Sequence, residues 1–387
     1  MDSLLNSRLK IITLIMTLFG LIGAGAILIY GERVLGTSDS VPWGSLIAIY
    51  LLFAASSVGL TIMASLWYIF RIEVFKVVTK RALTLAIISI VLGFIAIGLE
   101  LGNPLNMVWL LLSPNLTSGI WWMGTLYVMY LGLRVLTVYN IYLGNDNRVM
   151  TFSRLTFFAG IAAVSNLGAV FGNIHARPFW QGSTMSFQFL LIAFMSGAAI
   201  LAIVTYLLNS RQPGQESNDN EKLLTLIGKI LATLIGIFAF LTIWKLIINL
   251  YGQVPGKYEA AMALLAGPLS ISFWLFEVGI GMVIPMYLLL TTRKFASDRV
   301  FKASVLAMIG IFFGHYNMVI AGQIFSPVVI EGMTGVPYNF YFPSWPEISI
   351  LIGTIGGAIF LALWVEENIM RGNGKLPHKI IANFKYE

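Results

Sequence analysis

An all-α polytopic membrane bundle is predicted for this chain by three observations. Of its 387 residues 58% are hydrophobic and 11% charged, with a mean hydropathy of +0.85, whereas a soluble domain is about 45–50% apolar and about 25% charged. Apolar runs of about 20 residues, the length that crosses a bilayer as a helix, recur along the sequence. The lysines and arginines collect in alternate connections between those runs. Such a composition excludes a soluble enzyme and a disordered chain. The lack of cysteine excludes a disulfide framework, cysteine nucleophiles and thiolate-bound iron–sulfur clusters on this chain. The formal charge of +7 reads as cytoplasmic-loop bias and not as a nucleic-acid surface.

Ten spans are predicted: 11–30, 44–70, 82–101, 117–139, 155–173, 185–208, 223–250, 268–292, 300–325 and 345–365. Several exceed 24 residues, which implies tilt or ends projecting beyond the hydrocarbon. The first carries Ala24-Gly25-Ala26, a small-residue run like a signal cleavage site. Its apolar stretch is long for a signal core, and it reads as a retained helix. Both termini and the even-numbered loops hold eighteen basic residues, while the odd loops hold only Arg33, Arg177 and Lys257. Both termini are therefore expected in the cytoplasm, in a cell membrane. The polar segment 209–222 (NSRQPGQESNDNEK) reads as a cytoplasmic linker joining an N-terminal bundle of six helices, 1–208, to a C-terminal bundle of four helices and a tail, 223–387.

The cytoplasmic loops read as plain connectors, but the external ones carry a distinct chemistry. They contain Pro42-Trp43-Gly44, Glu100-Leu101-Gly102-Asn103-Pro104, Ser118-Gly119-Ile120-Trp121-Trp122, Arg177-Pro178-Phe179-Trp180-Gln181 and Tyr341-Phe342-Pro343-Ser344-Trp345-Pro346-Glu347. An interfacial aromatic belt accounts for tryptophan at both faces, but not for Pro, Gly, Asn and carboxylates recurring beside it on one side. Inside the spans, ionisable groups are costly and mark function. Glu277 and His315, with Asn317 nearby, lie near the midplane and are candidates for proton transfer. Lys245, near the external end of its span, reads as snorkelling, and Arg134 and Lys229 as cations within reach of the cytoplasmic interface. Three histidines at unrelated depths (His175, His315, His378) offer no bis-histidine haem site.

In order and spacing, these segments resemble the NrfD/PsrC family of polytopic membrane subunits, and more closely its ten-span HybB-like branch. The resemblance runs from Val41 to about Trp364. Val41-Pro42-Trp43-Gly44 is similar to the family's PWG opening, and Gly98-Leu99-Glu100-Leu101-Gly102-Asn103-Pro104 to its Asp-Leu-Gly-Arg-Pro turn. Pro178-Phe179-Trp180-Gln181 resembles its Pro-Leu-Trp-Gln segment, Phe273-Trp274 with Glu277 its Phe-Trp-x-x-Glu run, and Tyr341 to Glu347 its Tyr-x-Pro-Ser/Thr-Trp-Glu entry. The chain departs from the pattern with Glu100 for Asp, Asn103 for Arg, Ala163 for a His and His315 for an Arg. Trp121-Trp122 stands where some relatives have a Glu.

The resemblance implies a quinone-reactive subunit of a respiratory oxidoreductase, anchoring an external iron–sulfur electron-transfer subunit and a catalytic [NiFe] hydrogenase or molybdenum sulfur/polysulfide reductase subunit. It implies a menaquinone-like quinone as bound substrate, with neither haem nor iron–sulfur cluster on this chain. A quinone needs a flat apolar cleft, hydrogen-bond partners at its carbonyls and a proton route. The external ends of spans two to five offer Trp43, Trp121, Trp122, Tyr127, Asn166 and Gln181 to hold the ring, and Glu100, helped by Asn103, to exchange the proton. Two other classes stay open at this point: an ion-coupled secondary transporter built on Glu277 and His315, and a b-type cytochrome anchor.

Overall fold

The computed structural model describes residues 2–102, 104–209, 215–291, 296–325 and 338–370. Asn103 and the C-terminal tail from residue 371 lie outside the described residues. The long helices are α1 (Asp2–Tyr30), α2 (Ser45–Tyr68), α3 (Lys76–Glu100), α5 (Gly119–Tyr142), α6 (Asp146–Gly172), α7 (Thr184–Asn209), α8 (Gln215–Gly252), α11 (Ser297–Ile324) and α12 (Trp345–Val365). Two short helices, α4 (Asn106–Leu112) and α9 (Lys257–Leu265), lie between spans, and a π-helical stretch, Ser272–Val283, runs directly into α10 (Ile284–Leu290). Backbone groups have no water to bond to within a bilayer, so uninterrupted helices are the form these runs take.

Nine helices among the described residues are long and apolar enough to cross a membrane. The tenth expected span, 117–139, is present as the 24-residue α5; it has the length, but Arg134 and a run of tyrosines lower its hydropathy. Of the polar 209–222 segment, Asn209 closes α7, residues 210–214 lie outside the described residues, and 215–222 open α8.

At the centre stands α2, buried along 94% of its most apolar window and packed against α3, α6, α7 and α11. Its serines, alanines and glycine let neighbouring backbones approach closely, the usual means of helix association in lipid. A Cβ on Gly59 would meet the Ala193 carbonyl oxygen of α7 at 1.8 Å, and one on Gly197 the Gly59 backbone at 2.1 Å. The first and last spans pair in the same way through Gly20 and Gly353, where an added Cβ would come within 2.5 Å of the partner Cα. Beyond that crossing, Arg81 holds Glu366 by two hydrogen bonds of 2.9 Å, and Lys10 pairs with Glu367.

Candidate functional site

At the end of the bundle where the sequence places the external face, α3 stops at Glu100 and α5 starts under a Ser118 cap whose Oγ accepts the Trp121 N–H. Gly44 N–H, at the head of α2, donates to Glu100 Oε1 at 2.9 Å. The other carboxylate oxygen, Oε2, is buried without a partner. Tyr127, fully buried, packs edge-on against Tyr50 of α2, Phe94 of α3 and Tyr130, with ring centroids 6.4–6.5 Å apart, and its hydroxyl has no partner. Trp121 Nε1, Thr125 Oγ1 and Asn166 Oδ1 are likewise buried and unpartnered. Five orphan polar atoms thus sit at the same end of α3, α5 and α6, around an aromatic lining.

The other residues singled out at this end are placed differently. Trp122 is 40% exposed on the outer face of α5, and its indole N–H is taken by the Leu116 carbonyl at 2.9 Å. Gln181 lies on the exposed loop after α6, its amide nitrogen 2.6 Å from His175 Nδ1. Trp43 stacks on Trp180 at 5.2 Å and meets the edge of Phe171 at 5.4 Å. Its backbone is clamped by a residue not anticipated from sequence: Gln323 accepts the Trp43 N–H at 2.9 Å and donates to the Trp43 carbonyl at 3.0 Å.

Glu347 is a second residue whose part emerges only from the fold. Fully buried, it accepts at Oε1 from Ser45 N–H (3.1 Å), Ser45 O–H (3.0 Å) and Tyr341 O–H (2.6 Å). At Oε2 it accepts from Gly36 N–H (2.7 Å) and Ser344 N–H (2.8 Å). Burial, then the adjacent Glu347 carboxylate, raises the Tyr341 pKa well above the ordinary tyrosine value, which keeps its hydroxyl as a donor. Three external segments are thereby tied to the head of α12.

A separate cavity of about 40 Å³ lies between α7, α8, the π-helical stretch and α11; its walls are mainly apolar, Phe179, Phe189 and Phe273 among them, and Lys245, Glu277, His315 and Asn317 are set into them. At about 10–15 Å³ per water this is room for a few water molecules and too small for a quinone ring. Ser272 Oγ donates to Asn317 Oδ1, and Asn317 Nδ2 donates to Glu277 Oε2 at 2.7 Å. His315 is buried with its ring 5.8 Å from Phe189; the Ile311 carbonyl one turn back lies close by without a well-aligned hydrogen bond to either nitrogen. Glu277 is carried by the π-helical stretch, a winding that is rare and concentrated at functional sites. Lys245 does not snorkel: its Nζ lies 4.2 Å over the Phe179 ring and faces this cavity. Arg134 is 1% exposed, buried inside the bundle.

These features define a polytopic helical membrane protein with buried, unpartnered polar atoms in α3, α5 and α6 and a separate small cavity among α7, α8 and α11. Residues 33–327 match the family described as polysulphide reductase, NrfD, and the chain belongs to that family. It is 23% identical to a selenate reductase subunit of Mesobacillus selenatarsenatis, over 86% of each chain. To the Hdr-like menaquinol oxidoreductase integral membrane subunit of Archaeoglobus fulgidus it is 23% identical, over 77% of this chain and 75% of the relative. A putative dimethyl sulfoxide reductase membrane subunit of Halobacterium salinarum is 25% identical, over 90% of this chain and 88% of the relative.

Proposed function

We propose that this chain, a membrane subunit of an oxidoreductase complex, binds a menaquinone-like quinone at the external ends of α2, α3, α5 and α6. There a docked iron–sulfur subunit exchanges electrons with it. The observation that carries the reading is the set of five buried, unpartnered polar atoms. Each costs about 1–3 kcal/mol if left unpaired, so five together argue for a ligand. Their chemistry suits both redox forms: Trp121 N–H, Thr125 O–H and Tyr127 O–H can donate to quinone carbonyls, while Glu100 Oε2 and Asn166 Oδ1 can accept from quinol hydroxyls. Tyr50, Phe94 and Tyr127 supply the apolar walls. Trp43, Trp122 and Gln181 belong to the rim, and Trp43 with the 177–181 loop forms a platform for the partner; Asn103 lies outside the described residues, and its role as a helper of Glu100 rests on the family resemblance.

The relatives' names, a selenate reductase and a putative dimethyl sulfoxide reductase, support a reductase as the catalytic partner, for which a molybdenum sulfur/polysulfide reductase is our reading and a [NiFe] hydrogenase the alternative; the Archaeoglobus name supports menaquinone. In the Glu277–Asn317–His315 cavity we assign proton transfer and not quinone binding, on its size. The subunit sits in the cell membrane with both termini in the cytoplasm. A tag inside 209–222 should therefore resist protease added outside cells, and its cleavage there would invert the topology and the site's assignment.

The quinone site is tested by competition binding of a labelled menaquinone analogue to the purified full chain. Tyr127→Phe removes one hydrogen bond without a cavity, and Trp121→Phe removes one while trading the indole for a smaller ring. Each should weaken binding by about 2–10-fold, the equivalent of about 0.5–1.5 kcal/mol. Unchanged affinity in both variants would remove the orphan atoms from the site.

A further inference from the structure

At the end of the bundle opposite Glu100, α2 closes in a turn that its own sequence does not favour. Arg71 N–H donates to the Trp67 carbonyl at 3.0 Å, and Ile72 N–H to the Leu66 carbonyl at 2.9 Å. The chain reverses there with Arg71 at φ +58°, in the left-handed region; among the described non-glycine residues only Gln253 shares it. Glycine would sit there without strain. An arginine held in this conformation is an outlier of the kind that gathers where a side chain has a task. The turn lays the side chain back over its helix. Arg71 Cζ lies 5.5 Å from the centroid of the Trp67 ring, and Lys76 Nζ, from the start of α3, 5.3 Å from it. Two cations share one indole. A third comes from α6: Phe70, beside Arg71, meets Phe157 edge-on at 6.3 Å, and Arg154 lies exposed three residues before Phe157.

These charges are not all neutralised from within. At the same end of the bundle Lys10, Arg81, Lys222 and Lys302 each pair with a carboxylate. Neither Arg71 nor Arg154 has a carboxylate partner among the described residues. Both stand among exposed apolar side chains, Phe70, Ile72, Leu155 and Phe158, which in a bilayer meet acyl chains. Guanidinium groups set into an apolar surface at the membrane edge find their counter-ion in the lipid itself. The planar fork of arginine matches the oxygens of a phosphate.

We propose that the turn after α2 and the facing part of α6 hold one anionic phospholipid of the leaflet opposite Glu100. Its phosphate lies between Arg71 and Arg154, Lys76 adds a third positive charge, and its acyl chains run over Phe70 and Phe158. A zwitterionic lipid offers the same phosphate but brings a quaternary ammonium that three cations repel, so net negative charge selects the occupant. Such a lipid ties the end of α2 to α6. The site is independent of the quinone reading and needs only that the chain crosses a membrane.

Native mass spectrometry of the full chain, released from a neutral detergent, counts bound lipid directly. With phosphatidylglycerol added, one copy should stay on the chain at a collision energy that strips phosphatidylcholine. Arg71→Gly and Arg154→Gln should each weaken the retained phosphatidylglycerol by about fivefold, the worth of one cation at an anionic membrane surface. Arg33→Gln removes the same charge from the exposed turn after α1, at the other end of the bundle, and should keep the affinity of the unaltered chain. Arg71→Gly separates binding from folding. Glycine adopts the left-handed turn freely, so the unfolding midpoint in lipid-free detergent should hold or rise while the affinity falls. If the midpoint fell instead, the affinity of Arg154→Gln, on an exposed helical face, decides alone. Excess inorganic phosphate should leave the lipid bound; displacement by it would make this a site for a free oxyanion. Equal retention of the two lipids, unaltered affinity in both variants, or the same loss in Arg33→Gln would each overturn the lipid site.

Discussion

Glu100→Gln lowers quinone-coupled turnover of the assembled complex by about 10²-fold, the low end of a general acid–base contribution, while the partner's activity with artificial dyes is unchanged. The fold tolerates the change. Gly44 N–H donates to Oε1, which the amide oxygen replaces, and the unpartnered Oε2 becomes an NH2 facing the proposed quinone position. What is lost is the capacity to take up and release a proton. Glu277→Gln is the informative control: its partner is Asn317, in the small cavity, so it alters proton movement and leaves quinone affinity intact. Steady-state turnover with a quinone analogue, beside dye-linked activity of the same preparation, decides it. If Glu277→Gln abolished quinone binding while Glu100→Gln turned over normally, the reaction would belong to that cavity.

Residue type and one-dimensional periodicity carried much of this arrangement, and their limits are physical. Spans were legible because about 20 apolar residues admit one structure in lipid. Glu100, Trp121, Tyr127 and Asn166 were legible as polar or amphipathic groups at helix ends. Thr125 was not, since a threonine in a membrane helix ordinarily bonds its own backbone and carries no signal. Trp121 and Trp122 look equivalent in a sequence, yet successive helical residues point about 100° apart, and only Trp121 turns its indole inward. Lys245 was misplaced, and the burial of Arg134 not foreseen, for another reason: distance from a span end gives depth, but not which neighbours wall a side chain off from lipid and water. The winding that carries Glu277 has no local code, because the Gly281–Gly310 contact that accompanies it joins distant segments. For the same reason Gln323 appeared as an ordinary polar residue, and Glu347, though marked by its motif, showed its role only when the fold brought its donors to it.

Glu347→Gln, in contrast to Glu100→Gln, is expected to be a stability variant with a functional consequence. Five donors converge on its two oxygens, so both lone-pair faces are used and the ionised carboxylate is the form that fits. Glutamine keeps one accepting oxygen and turns an NH2 toward donors on the other side. Whichever way the amide is turned, at least two donors lose their acceptor in a fully buried site, at about 1–3 kcal/mol each. The expected loss is about 3–5 kcal/mol, the range for breaking a buried, hydrogen-bonded charge, read as a lower unfolding midpoint of the purified chain in detergent. The damage is directional. Ser45 is held by Glu347, and its neighbour Gly44 donates to Glu100, so loosening the head of α2 also releases the carboxylate at the proposed quinone site. Below its melting temperature the variant should bind the quinone analogue more weakly, with Glu347 acting as a positioning residue through Gly44. An unchanged midpoint with unchanged affinity would separate the carboxylate knot from the site and leave Glu100 positioned by α3 alone.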